Sequence, residues 1–177
     1  LSHLLRAVLT DSAVLLKPLA QELDFVTRYC ELQKLRFSNR FEYSIIVDPD
    51  VNLNTPVPKM IIQSFAENAL KHGLENKKGK GLLEIRINNV PGGTEVMVRD
   101  NGIGRTAASA IRTHGAGTGL KNIASIIEMI NKTNSEKITF TITDLDDDGV
   151  AAGTEVRVFL PSGYSVILPA DSEPTYQ

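Results

Sequence analysis

Residues 96–104 read V-M-V-R-D-N-G-I-G, an alternating strand that runs straight into a carboxylate and two closely spaced glycines. Val96, Val98 and Asp100 are in step on the two-residue period of a strand, so the Asp100 side chain is expected on the same, buried, face as the two valines. A carboxylate aimed inward needs a donor. The exocyclic amino group of adenine is such a donor, and Gly102 and Gly104 lack the Cβ atoms that would keep a ring from approaching the backbone. D-N-G alone is a common turn signal, and a simple turn is the plain alternative. The weight comes from two further segments, E-N-A-L-K-H-G at 67–73 and G-A-G-T-G-L-K-N at 115–122. Together the three imply bound ATP.

In the helix around Glu67, Ile61, Ile62, Phe65, Ala66, Ala69 and Leu70 fall on one side, and Gln63, Ser64, Glu67, Asn68, Lys71 and His72 on the other. A solvated helix face is the ordinary reading of such a polar side. Yet Asn68 and His72 are four apart, as are Glu67 and Lys71, so a carboxylate, an amide and two potential cations project from adjacent turns. Mg2+ takes hard oxygen ligands, keeps several waters and uses one or two protein groups beside substrate phosphates, so Asn68 is a chemically adequate ligand. Lys71 and His72 would then meet phosphate charge.

Gly115, Gly117 and Gly119 precede a helix that begins near Thr118 or Gly119. Free backbone N–H groups and the positive end of a helix dipole can there be presented to phosphate oxygens. This is neither a Walker A loop, since no Gly-Lys-Ser/Thr ends it, nor a Rossmann fingerprint, since no hydrophobic strand leads into it. The small and polar residues 105–114 between the glycine clusters suit a mobile lid over nucleotide. Thr154 is in step with Val156, Val158 and Leu160, which places its hydroxyl inward beside the adenine pocket; a core threonine is the alternative. Asp144, Asp146, Asp148, Gly149 and Glu155 match the D-x-D-x-D-G-x5-E spacing of an EF-hand. The segments on both sides read as strands rather than helices, so an exposed acidic hairpin turn is expected instead of a calcium site.

Composition sets the outer limits. At 177 residues with 42% hydrophobic residues the chain can fill one core with an appendage, and a formal charge of −2 leaves no basic footprint for nucleic acid. The single cysteine, Cys30, excludes an internal disulfide framework and fits helix packing in a reducing compartment. No apolar run approaches the roughly 18 residues needed to span a bilayer. The chain opens on Leu1 within an apolar-periodic segment with no helix-starting residue before it, so an upstream portion is expected.

Along the chain, Leu1, Leu4, Leu5, Val8 and Leu9 form a helical stripe that needs a partner helix. A second helix carries Leu19, Leu23, Val26 and Cys30 up to about Phe37, with Pro18 as its first-turn proline. The spacing then predicts a strand over 41–47, a helix over about 57–72 introduced by Pro56 and Pro58, and a hairpin from Leu83 to Arg99 turning at Pro91-Gly92-Gly93. A helix over about 118–131 and paired strands over 137–143 and 153–160 follow. A weakly ordered tail closes the chain, although Tyr164, Val166, Ile167 and Leu168 have something to pack. This order predicts an α+β two-layer sandwich, helices on one face of a mixed sheet and ligand between the layers, preceded by a helical segment.

The three motifs, in this order and spacing, resemble the N, G1 and G2 boxes of the Bergerat-fold ATPases: gyrase-type topoisomerases, heat-shock chaperones, mismatch-repair ATPases and histidine kinases. L-S-H-L-L-R at 1–6, L-A-Q-E-L-D-F-V-T-R-Y-C-E-L-Q-K-L-R-F at 19–37 and A-E-N-A-L-K-H-G at 66–73 are similar to LytS-type sensor histidine kinases. The resemblance covers residues 1 to about 161. It implies ATP held by Asp100 on adenine, Asn68 on Mg2+, Lys71 and His72 near phosphates, Thr154 beside Asp100, and Gly102, Gly104, Gly117, Thr118, Gly119 and Leu120 shaping the pocket, with Glu67 as base or polarising group. It also implies a helical dimerisation segment over 1–37, a catalytic domain over 38–161 and a tail over 162–177. The γ-phosphoryl group would pass to a histidine on a preceding helix and then to a response-regulator aspartate.

The N-P-H-F-type acceptor motif is absent, and His3 lacks its neighbours, so the chain is expected to hold ATP without phosphorylating itself in isolation. The whole protein would be a homodimer whose upstream region sits in the inner membrane, with this part on the cytoplasmic side. An ATP-binding scaffold without phosphotransfer is the alternative reading. A chaperone- or topoisomerase-like clamp is the third reading, disfavoured because the chain lacks the large downstream transducing domain those need and because its lid is short.

Overall fold

Five segments alternate apolar and polar residues over seven or more positions, and each alternation puts its apolar side chains on a common face. In the computed structural model, which describes residues 15–105 and 118–164, they form one sheet. Its strands are β2 (Phe41–Val47), β4 (Gly81–Val90), β5 (Gly93–Asp100), β6 (Thr139–Asp147) and β7 (Val150–Pro161), in the order β2-β4-β5-β7-β6. β2 and β4 run parallel and the other neighbours antiparallel, so the sheet is mixed. Leu83, Ile85 and Ile87 of β4, Val96 and Val98 of β5, and Val156, Val158 and Leu160 of β7 are buried on its inner face. The outer face carries charge, including Arg157 paired with Glu95 at 2.8 Å and with Glu155 at 2.7 Å. This is the expected α+β two-layer sandwich.

Among the described residues three α-helices cover the inner face: α1 (Leu19–Arg36), α2 (Ile61–Asn68) and α3 (Thr118–Lys132). Each turns an apolar stripe inward: Leu19, Leu23, Val26 and Cys30 from α1, Ile61, Ile62 and Phe65 from α2, Ile123, Ile127 and Ile130 from α3. The α1 stripe thus lies in the same core as the sheet. Burial pushes the Cys30 thiol up to about 12, so it is an inert packing group. The helical stripe expected over residues 1–10 lies outside the described residues, as does the chain beyond Tyr164. Tyr164 itself is buried, and its hydroxyl donates to the Pro56 carbonyl.

Several boundaries differ from the sequence reading: β6 and β7 extend to Asp147 and back to Val150, closing a tighter hairpin than expected, and the helix ends differ as well. Pro18 is not inside the first turn of α1; it closes a three-residue strand, β1 (Leu16–Pro18), that pairs antiparallel with β3 (Pro56–Pro58). The helix expected from about residue 57 therefore begins only at Ile61, because Val57 is committed to this pairing and Met60 takes a left-handed conformation at φ 63°. At its other end the α-helix gives way at Ala69 to a π-helical turn, Ala69–Leu74, in which Glu75 N–H reaches back five residues to the Leu70 carbonyl at 2.9 Å. The EF-hand-like acidic run is a β6–β7 hairpin with strands on both sides, turning at Asp148 and Gly149, both with positive φ.

Candidate nucleotide site

A cavity of about 370 Å³ opens between the layers, within the size range of small-molecule sites. α2 and its π-turn contribute Phe65, Asn68, Ala69, His72 and Gly73. The sheet contributes Val98 and Asp100 from β5, Ile142 from β6, and Thr154 and Val156 from β7. Gly104 and Arg105, which follow β5, and Leu120 of α3 complete the wall. The surface is mostly apolar, with a few polar groups converging on it.

Asp100 is the deepest of these, 4% exposed at the end of β5 and directly opposite Thr154 of β7. Burial pushes its carboxyl up to about 6, against the pull of the Gly102 and Thr154 backbone N–H groups and of the Lys77 charge. The Gly102 N–H donates to Oδ1 at 2.7 Å, leaving acceptor capacity on the carboxylate. The π-turn brings Gly73 against this carboxylate: a Cβ on Gly73 would stand 2.5 Å from Asp100 Oδ1, and one on Gly102 would stand 2.4 Å from the Gly73 Cα. The Ile103 N–H fastens the contact by donating to the Gly73 carbonyl at 3.0 Å. Only glycine at both positions permits this approach.

On the opposite wall the Asn68 amide nitrogen is shielded from solvent and has no hydrogen-bond partner among the described residues. A buried amide left in that state is costly unless something else satisfies it, which is what a bound polar ligand does. At the rim, Arg105 makes a two-pronged ion pair with Asp144, Nε to Oδ1 and a terminal nitrogen to Oδ2, both at 2.8 Å. Its guanidinium holds the Asp144 carboxyl below its ordinary value. A donor-seeking carboxylate at the bottom, apolar walls, an unsatisfied amide and a cation at the rim form a slot for a flat polar heterocycle with a charged tail.

Of the residues singled out in the sequence, Asn68, His72, Asp100, Gly104, Leu120 and Thr154 line this cavity. Glu67 and Lys71 are not among the lining residues; they form an ion pair with each other, and the Glu67 charge helps to raise the Tyr29 hydroxyl of α1 to about 12, after burial itself. Gly102 lies behind the wall against Gly73. Gly119 is exposed in the first turn of α3, with open space where a Cβ would stand. Thr118 starts α3, while its side chain and Gly117 fall outside what is described, so the phosphate cradle is not traced. Phe65, Ala69, Gly73, Val98, Arg105, Ile142 and Val156 were missed as lining residues. Val98 and Val156 could have been found, being two residues from Asp100 and Thr154 on the same strand faces; Ile142 enters only because β6 pairs it with Val156.

The profile of the histidine kinase-, DNA gyrase B- and HSP90-like ATPases matches residues 55–163, more than half of the chain and all of the sheet except β2. The chain belongs to this ATPase family. A histidine kinase profile matches the preceding residues 1–41. The sensor protein LytS of Bacillus cereus is 29% identical over 171 residues, covering 91% of this chain and 27% of that protein. The sensor histidine kinase YesM of Bacillus subtilis is 31% identical over 109 residues, 62% of this chain and 19% of its own length. The chain thus spans about a quarter or less of these relatives. Among solved structures, a mycobacterial sensor histidine kinase, MprB, superposes with a TM-score of 0.54 at 17% identity, covering 78% of this chain and 93% of that one. The catalytic domain of the histidine kinase ThkA gives 0.56 at 16%, with 82% and 95% coverage. These likenesses establish the shared α+β ATPase fold.

Proposed function

We propose that the chain is the ATP-binding catalytic portion of a two-component sensor histidine kinase, which passes the γ-phosphoryl group to a histidine on another helix for relay to a response-regulator aspartate. The observation that carries this reading is the buried Asp100 carboxylate facing an apolar-walled cavity whose far wall holds the unsatisfied Asn68 amide. Asp100 accepts from the adenine amino group, Thr154 stands beside it, and Gly73, Gly102 and Gly104 let the ring approach the backbone. Asn68 would hold Mg2+ beside the phosphates, and the metal would supply charge neutralisation during phosphoryl transfer. His72, on the cavity wall, would meet phosphate charge; Lys71 and Glu67, which pair with each other off that wall, would turn to the phosphates as a cation and as base or polarising group, and Gly117, Thr118, Gly119 and Leu120 would shape the phosphate end. In such a reaction positioning and charge stabilisation supply most of the effect, so the protein's task is to aim the phosphate.

The proposed division is a helical dimerisation segment over 1–37, whose α1 part packs into the core of the catalytic domain over 38–161, and a tail over 162–177. Membrane attachment would lie outside these residues; among those described no helix is long and apolar enough to cross a membrane. Titration calorimetry with ATP, with and without Mg2+, tests the site. Wild type should bind, Asp100→Asn should weaken binding even without metal, and Asn68→Ala should chiefly remove the Mg2+ dependence. Absence of binding, or indifference to both substitutions, would defeat the reading. Phosphohistidine formed on a supplied acceptor helix separates a kinase from a scaffold that only binds.

A further inference from the structure

Two carboxylates are buried among the described residues. Asp100 belongs to the cavity. Glu22, fully buried on α1, lies at the other end of α2, the helix that carries Asn68 and leads to His72. There α2 has no cap of its own, since Met60 in the N-cap position is left-handed and offers no side-chain hydrogen bond. The Glu22 carboxylate takes over that role from a different element. It accepts from the backbone N–H groups of Met60 at 3.3 Å, Ile62 at 3.2 Å and Gln63 at 3.1 Å, which are the otherwise orphaned donors at the positive end of the helix dipole. Lys17 of β1 pairs with the same carboxylate, and its ammonium lies 5.3 Å from the centre of the Phe25 ring of α1.

A buried charge costs free energy to desolvate, and an apolar side chain can often replace one without loss of stability, so packing alone does not account for Glu22. What the carboxylate adds is direction. A helix held by three N–H groups at its first turn cannot slide or rotate about its axis without breaking them, and Asn68 lies only about 9 Å farther along that axis at 1.5 Å per residue from Ile62. Lys17 sits on β1, between the upstream chain and α1, and its departure would leave Glu22 uncompensated beneath α2. We propose that Glu22, balanced by Lys17, is a positioning residue for the nucleotide site: through α2 it fixes Asn68 and His72 against the cavity, and it makes nucleotide affinity depend on where β1 lies. This role rests on the nucleotide reading of the cavity.

The test is ATP binding by calorimetry for wild type, Glu22→Gln, Lys17→Met and Lys17→Arg, well below the lowest melting temperature of the set, with amide hydrogen exchange at Ile62 and Gln63. Arg28→Gln, which breaks an exposed pair with Asp24 on α1, serves as a control. Glu22→Gln and Lys17→Met should raise the Kd for ATP about fivefold or more and speed exchange at both amides, whereas Lys17→Arg and the control stay within about twofold. Faster exchange with an unchanged Kd would reduce the pair to a structural cap and overturn the role. If Glu22→Gln fails to fold, Lys17→Met decides alone. Failure of the wild type to bind ATP would overturn the nucleotide reading and this role with it.

Discussion

Asp100 shows how one residue couples function to stability. Its folded carboxyl titrates near 6 rather than 3.8 because burial disfavours the charged form. Between those values the folded protein holds a proton that the unfolded chain has released, so this group favours the folded state below about pH 4, and that contribution is lost as pH rises through 6. Across that window wild type should lose about 2 to 3 kcal/mol of stability relative to Asp100→Asn. Urea titrations of both proteins from pH 4 to 7 measure the difference, and parallel pH profiles would refute the assignment. The inward direction of Asp100 was legible from its phase with Val96 and Val98. The glycine contact that walls it in was not, because Gly73 and Gly102 meet only when the π-turn and the loop after β5 come together.

At the scale of elements, the strands were the most legible part. β2 falls on residues 41–47 as expected, and α3 ends within a residue of its expected limit, since alternation and helical periodicity are local properties of the chain. The N-terminal boundary of α2 was not legible. It depends on the β1–β3 pairing and on Glu22, 40 residues from the Ile62 amide it caps. The same region receives Tyr164, whose hydroxyl bonds the Pro56 carbonyl of β3 and so ties the end of the β7 segment to the strand before α2. Tyr164→Phe removes one part-buried hydrogen bond and should cost about 0.5 to 1.5 kcal/mol, since water can reach the exposed Pro56. Thermal and urea unfolding read this directly; no measurable change would mean that the strap contributes nothing to the fold.

For the whole molecule, the site is assembled from α2, the π-turn, β5, β6, β7 and α3, so ligand binding and global folding must be linked. ATP at a hundredfold excess over its Kd should stabilise the chain by about 2.7 kcal/mol, and the gain should shrink for Asp100→Asn. A melting temperature indifferent to ATP would separate this cavity from any nucleotide. The sequence by itself determined the sheet's strands, the helical stripes, the α+β class and most of the polar groups on the cavity, because periodicity, phase and glycine spacing are written along the chain. The tertiary structure decided what depends on residues far apart: the fit of Gly73 against Asp100, the Arg105–Asp144 rim and the capping of α2 by Glu22. Each arises from two segments brought within a few ångströms by the packing of helices on the sheet, a distance that local sequence does not encode.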